Sequence, residues 1–510
     1  MPTSRRDFLA RTGLAVVALP LARGLLACDG AAGTGQLPEY THAGPPGPDG
    51  LFLHGVASGD PLQDRVILWT RVSTAVAALP VYWEVARDPD FTDRVAAGWS
   101  EAVAERDHCV KVDAAGLPPA TRLHYRFRAE GRSSPVGQTR TASADSLAPV
   151  RFAVCSCANL TVAPFVAYRE LAARDDLDAV LHLGDYLYEY GTDPDAERQA
   201  EPPHALLTAA DYLQRHAQYK RDPDLQEAHR LHPWVVIWDD HETINNANRD
   251  GANEHDPATD GPWADRKAAA TRAWSLWMPV REQPDGRIYR ALRFGGLVDL
   301  LMLDTRLAGR DPQLAVGAEE AQADDRQLLG ITQEAWLFDE LAASRAAWTV
   351  VGQQVMVAPV RVGGVPLNGD QWDGYPAARR RLLETARDLE GLRNFVVLTG
   401  DIHSSWANEL RDDADNPVGV EFVTPGVTSR GLGAAGEEFI AMFRDEFPHV
   451  RWADLSRRGY VVTTFTTSAL EAVWHLFDDL DAPDAESVAA ATWRVENGAK
   501  VLSEVGDTGS

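Results

Sequence analysis

The stretch 398-LTGDIHSSW-406 sets Asp401 and His403 one residue apart, directly after the apolar run 395–398. A short apolar run that ends in small and polar residues has the pattern of a buried strand. In parallel sheets, ligands bind beyond the carboxyl ends of such strands. The pair alone decides nothing, because a strand-end Asp commonly caps a helix and a single His is more often a satisfied polar residue than a ligand. Its meaning depends on whether equivalent positions elsewhere carry ligand-type side chains.

They do. Four further apolar runs end in the same way: 151-RFAVCSCAN-159, 179-AVLHLGDYLYE-189, 234-WVVIWDDHE-242 and 298-VDLLMLDTR-306. Helix-patterned stretches such as 165-FVAYRELAARDD-176 and 263-WADRKAAATRAWSLWM-278 lie between them. Buried strands alternating with helices imply an α/β fold with a largely parallel central sheet under helical cover. The strand-end rule then gathers Cys157, Asp185, Asp240, Asp304 and His403 at one rim. Two carboxylates about 4 Å apart repel by about 4 kcal/mol at an effective dielectric near 20, so Asp185, Asp240 and Asp401 could cluster in ionised form only around cations. A thiol, a phenol and an imidazole nearby would complete a metal shell.

The preceding hundred residues read differently. The segments 65-RVILWTRV-72, 81-VYWEVARD-88, 108-HCVKVDAAGL-117 and 121-TRLHYRFRAEGR-132 alternate apolar and polar residues between turn signals. They predict a small antiparallel β-sandwich over residues 51–148, with the α/β domain filling 149–510. Residues 29–50 are a Gly- and Pro-rich tether. Residues 1–28 carry the Arg5–Arg6 pair before a short apolar segment interrupted by Arg23, the pattern of a twin-arginine export signal. Its end, 25-LLAC-28, resembles a lipobox; lipidation of Cys28 would attach the protein to a membrane surface, and ordinary cleavage nearby is the competing reading. The expected location is therefore periplasmic or extracellular.

Composition removes other classes. Acidic residues outnumber basic ones 75 to 49, for a net charge of −26. Such a chain lacks the basic surface that general nucleic-acid binding needs. An anionic substrate would need bound cations to reverse the local field. Beyond Cys28, only Cys109, Cys155 and Cys157 remain, an odd set too sparse for a disulfide framework.

The motifs VASGDP with VILWTR, SCAN, GDYLYEYG, WDDHETINN, LDTR, QWDGYPAAR, LTGDIHSSWANEL, EFVTPGVTS and RGYVV run in order from Gly55 to Tyr460. As a set they resemble those of the alkaline phosphatase D (PhoD-like) family of metallophosphoesterases. The resemblance implies an αββα core preceded by a small all-β, fibronectin/immunoglobulin-like sandwich. It also implies Fe(3+) and Ca(2+) as cofactors and phosphate mono- or diesters as substrates. By correspondence Asp185 bridges the metals, with Cys157, Tyr188 and His403 on the iron and Asp240, Asp401 and Asn245 on calcium. Asn246 is the alternative to Asn245, and Cys155 is expected one layer deeper than Cys157. The catalytic residues implied are Asp240 and His241, with in-line attack of a metal-bound oxygen on phosphorus and His241 serving the leaving oxygen. A monomer is expected. The alternatives are a phospholipase D-type phosphodiesterase on the same scaffold and a non-catalytic surface lipoprotein.

Overall fold

All five apolar runs form strands, but they divide between two sheets. Val150–Cys155, Ala179–His182 and Pro233–Val236 pair in parallel in the first. Val298–Met302, Trp348–Gly352 and Phe395–Thr399 pair in parallel in the second. The single central sheet expected from the alternation is thus two, and the strands' own composition gives the reason. Nearly every residue in them is buried, so both faces of each sheet need cover. In the second sheet Leu300, Val350, Val396 and Leu398 join one apolar cluster with Ala153, Leu181 and Val235 of the first. The alternate residues Leu301, Val351, Phe395 and Val397 belong instead to a cluster with Leu337, Leu341, Leu382 and Leu383 of helices Ile331–Ala343 and Pro376–Asp388. Side chains of period two therefore face a sheet on one side and helices on the other. Helices Val166–Ala173 and Pro223–Leu231 contribute Leu171 and Leu225 to the core of the first sheet. The layers run helix, sheet, sheet, helix.

The structure is a computed structural model that describes residues 36–506 apart from 443 and 483. The twin-arginine signal, Cys28 and the first residues of the tether lie outside the described residues. Among the described residues no helix is long and apolar enough to cross a membrane.

The amino-terminal strands form the expected sandwich. Ala78–Ala86, Arg94–Val103 and Arg122–Ala129 make one antiparallel sheet. Val56–Gly59, Arg65–Arg71 and Cys109–Ala115 make the facing one, and Val66, Leu68, Val81, Leu123 and Phe127 fill the space between. This facing sheet does not stop at the domain border. Val56–Gly59 also pairs in parallel with Pro233–Val236, so it extends the first sheet to ten strands. The sandwich is hydrogen-bonded to the core through its backbone.

Asp60, in the SGDP turn after that seam strand, locks the join. Its N–H donates to Trp234 O at 3.0 Å. Its carboxylate accepts from Arg290 Nη2 at 2.6 Å, Arg290 Nε at 3.1 Å and the Arg281 N–H at 2.7 Å. Both Asp60 and Arg290 are buried. Breaking a buried pair leaves an uncompensated charge, at a cost of about 3–5 kcal/mol. Asp60→Ala is therefore expected to lower the unfolding free energy by about that amount in chemical denaturation, and a loss below about 1 kcal/mol would show that the pair does not hold the seam.

Candidate metal centre

The two sheets bring their strand ends together at one cleft, and glycine makes the approach close enough. Gly184, at φ +107°, packs so tightly that a Cβ would stand 2.3 Å from Asp239 Cβ. A Cβ on Gly400 would stand 2.6 Å from Ser156 Oγ. Each glycine is followed by the Asp that enters the site, which is the physical reason for the two Gly-Asp pairs.

The backbone around the cleft is strained. Cys157 (φ 59°), Asp185 (53°), Asn246 (55°), Asp401 (69°) and His403 (53°) all occupy the left-handed region without being glycine. Each such residue costs on the order of 1–3 kcal/mol and persists only when its surroundings over-determine it. Glu242 supplies much of that constraint, since its carboxylate accepts from the N–H groups of Asp185 (3.0 Å), Tyr186 (2.7 Å) and Asp239 (2.8 Å). Two adjacent loops are thereby tied to one buried side chain.

Three overlapping groups of potential ligands result: Cys157, Asp185 and His403; Asp185, Asp240 and His241; Asp239, Asp240 and Asp401. Within each group the ligand atoms lie within 4.8 Å of one another. Asp185 joins the first group to the second. The Tyr188 hydroxyl donates to Asp185 Oδ2 at 3.0 Å, stands 3.0 Å from His403 Nε2 and accepts from Ser429 Oγ at 2.7 Å. His403 Nδ1 lies 3.1 Å from Arg430 O; donation to that carbonyl leaves Nε2 as the ligand nitrogen. On the other side, His241 Nδ1 is 2.7 Å from Glu189 Oε2. The N–H groups of His241 and Asn246 reach the two oxygens of Asp240 at 3.0 and 2.5 Å.

Electrostatics test whether these side chains fit a metal. Burial pushes the carboxyls of Asp185 and Asp239 well above the usual range, and that of Asp401 up to about 7 even though Arg306 acts against it. Burial acts on Asp240 in the same sense, but Arg306 and His241 together outweigh it and hold that carboxyl low. The Cys157 thiol and Tyr188 phenol are pushed up by burial and then by Asp185. Burial, helped by His241, takes His403 down to about 4. Apart from Asp240, the acidic donors are therefore not kept ionised by protein groups alone. Cations can keep them so, and thiolate, phenolate, carboxylate and neutral imidazole are the forms that bind them.

About nine tenths of the chain has matching relatives. A model of the PhoD-like phosphatase family matches residues 152–474, and one of the PhoD-like phosphatase N-terminal domain matches residues 41–143. Alkaline phosphatase D of Bacillus subtilis (strain 168) is 36% identical over 488 residues, covering 90% of this chain and 83% of that protein. The chain belongs to the PhoD-like phosphatase family. A solved structure described as that of PhoD is similar to this one with a TM-score of 0.85 and 35% identity, over 91% of this chain and 94% of that chain. The chain is accordingly a phosphoric ester hydrolase.

In this PhoD-like centre the sequence-predicted residues Cys157, Asp185, Tyr188, Asp240, His241, Asp401 and His403 come together. Asn245 and Asn246 both line the cleft. The Asn245 amide is turned to Glu254 Oε1 at 2.9 Å, whereas Asn246 touches Asp240 through its backbone. Cys155 is buried against Leu181 O, and Cys109, Cys155 and Cys157 are all free thiols. Asp304 does not join the cluster. Its carboxylate accepts from the N–H groups of Arg306 (2.9 Å) and Leu307 (2.8 Å), so it shapes the turn that presents Arg306.

Arg306 is the residue that sequence reasoning missed. It is fully buried and bonds Asp239 through Nε, both oxygens of Asp370 through Nη1 (2.9 and 2.8 Å) and Asp401 through Nη2 (2.6 Å). Asp240 Oδ2 is 3.7 Å away. Gln371 Nε2 holds the other oxygen of Asp401. Glu189 and Ser429 were likewise visible only as letters within quoted motifs.

Because binding stabilises only the folded state, removing metal from so acidic a cage should destabilise the fold. Saturation at 100 times Kd is worth about 2.7 kcal/mol. Chelator-treated protein is expected to unfold at lower denaturant concentration than metal-loaded protein and to recover when metal is restored; identical midpoints would contradict a resident metal.

Proposed function

We propose that this PhoD-like phosphatase hydrolyses phosphate mono- and diesters with Fe(3+) and Ca(2+) at this centre, after export through the twin-arginine pathway to a periplasmic or extracellular location. The observation that carries the metal reading is the sharing of Asp185 between two donor groups of different character. Cys157, Tyr188 and His403 offer thiolate, phenolate and imidazole beside it, a set that suits a trivalent iron. Asp240 and Asp401 offer oxygen, which suits a hard divalent ion such as Ca(2+). Asn245 or Asn246 would add a further oxygen. When bound, the cations supply neutralisation of the phosphoryl oxygens and acidify water.

The chain's own groups do the rest. Burial would strip His241 of its proton, but Glu189 first, then Asp185 and Asp240, raise its pKa well above the ordinary value. Glu189 occupies Nδ1, so Nε2 carries the proton available to a departing alkoxide. Asp240 is fixed by the N–H groups of His241 and Asn246, and Asp401 by Arg306 and Gln371, so neither carboxylate can turn away from the cleft. Attachment through a lipidated Cys28 and a monomeric state complete the proposal; they rest on the sequence.

Positioned general acids contribute about 10²–10⁴-fold. His241→Asn is expected to lose activity in that range while its metal content stays that of the parent. Cys157→Ala is expected to lose iron and activity together; retention of iron would overturn the ligand role, and loss of iron with phosphatase activity intact would overturn the part of iron in the reaction. Parallel assays with a mono-aryl and a bis-aryl phosphate on the metal-analysed protein separate the monoesterase from the phospholipase D-type alternative.

A further inference from the structure

A second cavity, of about 350 Å³, lies between helix Trp263–Trp277 and the segment 280–290, and it shares no lining residue with the cleft over the donor cluster. Four arginines line it, Arg272, Arg281, Arg287 and Arg290, with one acid, Glu282. In a chain of net charge −26 such a grouping runs against the background. Part of its charge is already met. Arg290 is engaged by Asp60 and by two backbone carbonyls. Arg281 pairs with Asp113 and donates from Nη2 to Asp60 O at 3.2 Å. Glu282 is held in turn by Lys111 Nζ at 2.9 Å and Arg106 Nη2 at 3.0 Å. The remainder is positive. Arg272 donates from Nη2 to Glu105 O at 2.6 Å and meets no carboxylate among the described residues. Arg287 Nε stands 3.6 Å from Asp285, beyond hydrogen-bond reach, with both side chains exposed.

Guanidinium groups with donors to spare, set in a concave site, match the oxygens of a phosphate, which a planar fork can bind two at a time. The rest of the lining suits an anion with a body. Trp238 and Trp274 back the cavity in edge-to-face contact at 4.9 Å, and the buried Trp274 N–H has no acceptor in the protein. We propose that this cavity is a second anion site, which binds phosphate, free or as a monoester, apart from the metal centre. Arg272 and Arg287 hold the phosphoryl oxygens. The place has consequences for the fold around it: Arg281 and Arg290 tie the same cavity to Asp60 at the sandwich seam, and Trp238 directly precedes Asp239 and Asp240. The proposal goes beyond the hydrolytic reading of the donor cluster and does not depend on it.

Equilibrium dialysis of the metal-loaded protein against radiolabelled inorganic phosphate at low salt counts the sites. The parent is expected to bind one phosphate more than a protein carrying both Arg272→Gln and Arg287→Gln, and either substitution alone should weaken the extra site by at least about tenfold, the worth of one charge-assisted hydrogen bond. Both arginines are exposed and neither lines the catalytic cleft, so hydrolysis is expected to stay at the parent rate and reports that the variants are folded. Equal counts in the parent and the double variant would overturn the proposal. Competition with phenylphosphonate separates the two sources: displacement of the extra phosphate at a lower concentration than phosphate itself requires assigns the site to monoesters, and weaker displacement assigns it to free phosphate. Crystals of the unaltered protein soaked in arsenate give a reading that needs no substitution. An arsenic anomalous peak in the cavity beside Arg272 and Arg287 is expected, and a peak at the metal centre alone would contradict the second site.

Discussion

One buried guanidinium faces three buried carboxylates and one half-buried one. Arg306 lies within hydrogen-bond or ion-pair reach of Asp239, Asp240, Asp370 and Asp401, while Asp185 next door has only His241 as a counter-charge. At an effective dielectric near 20, each like-charged pair at about 4 Å costs about 4 kcal/mol. Arg306, with Arg310 on Asp370 at 2.6 Å and His241 beside Asp185, is outnumbered by these five carboxylates. The site therefore requires additional cations or protons, and the choice between them decides what it can do. Protons would leave a cluster of neutral acids; metal ions would leave an electrophilic floor beneath a cleft.

The fold is arranged to keep these groups close despite their repulsion. Asp185 and Asp240 follow parallel strands of the first sheet, and Asp401 follows one of the second. The groups meet because the two sheets pack face to face with their carboxyl ends at one edge. Glycines at 184 and 400 let the loops touch, and five strained backbone positions aim the side chains. The strain is sustained from outside the cluster: Glu242 ties together the loops after two strands, and Arg430 O and Glu189 orient the two histidines. The sandwich contributes stiffness, because its seam strand is hydrogen-bonded to Pro233–Val236, three residues before the Asp239–Glu242 turn.

Much of this was legible in the sequence, and the losses have physical causes. The strands declared themselves as uninterrupted apolar runs, and their terminal residues pointed to one edge. Yet a strand buried against a helix and one buried against a sheet have the same composition, so Val396 and Val397 gave no sign that they face different layers. The sandwich strands were readable from alternation, but the parallel pairing of Ser58 with Pro233 depends on residues too far apart to leave a pattern. In LDTR the strand-end rule pointed to the Asp and gave the Arg no role; in the fold Asp304 caps a turn while Arg306 enters the cluster. Asn245 and Asn246 are adjacent, so no periodicity could rank them. Pairing partners such as Glu189 for His241 are contacts across space, and nothing in their spacing announces them.

Diffraction from the metal-loaded protein at the iron absorption edge tests most directly where the missing positive charge resides. An anomalous peak within bonding distance of Cys157 Sγ, Tyr188 Oη, His403 Nε2 and an Asp185 oxygen is expected, with a second, non-iron ion between Asp185, Asp240 and Asp401. Fully active crystals with no density for an ion at either position would show that the cluster is balanced by protons, and would remove the basis for metal-assisted hydrolysis.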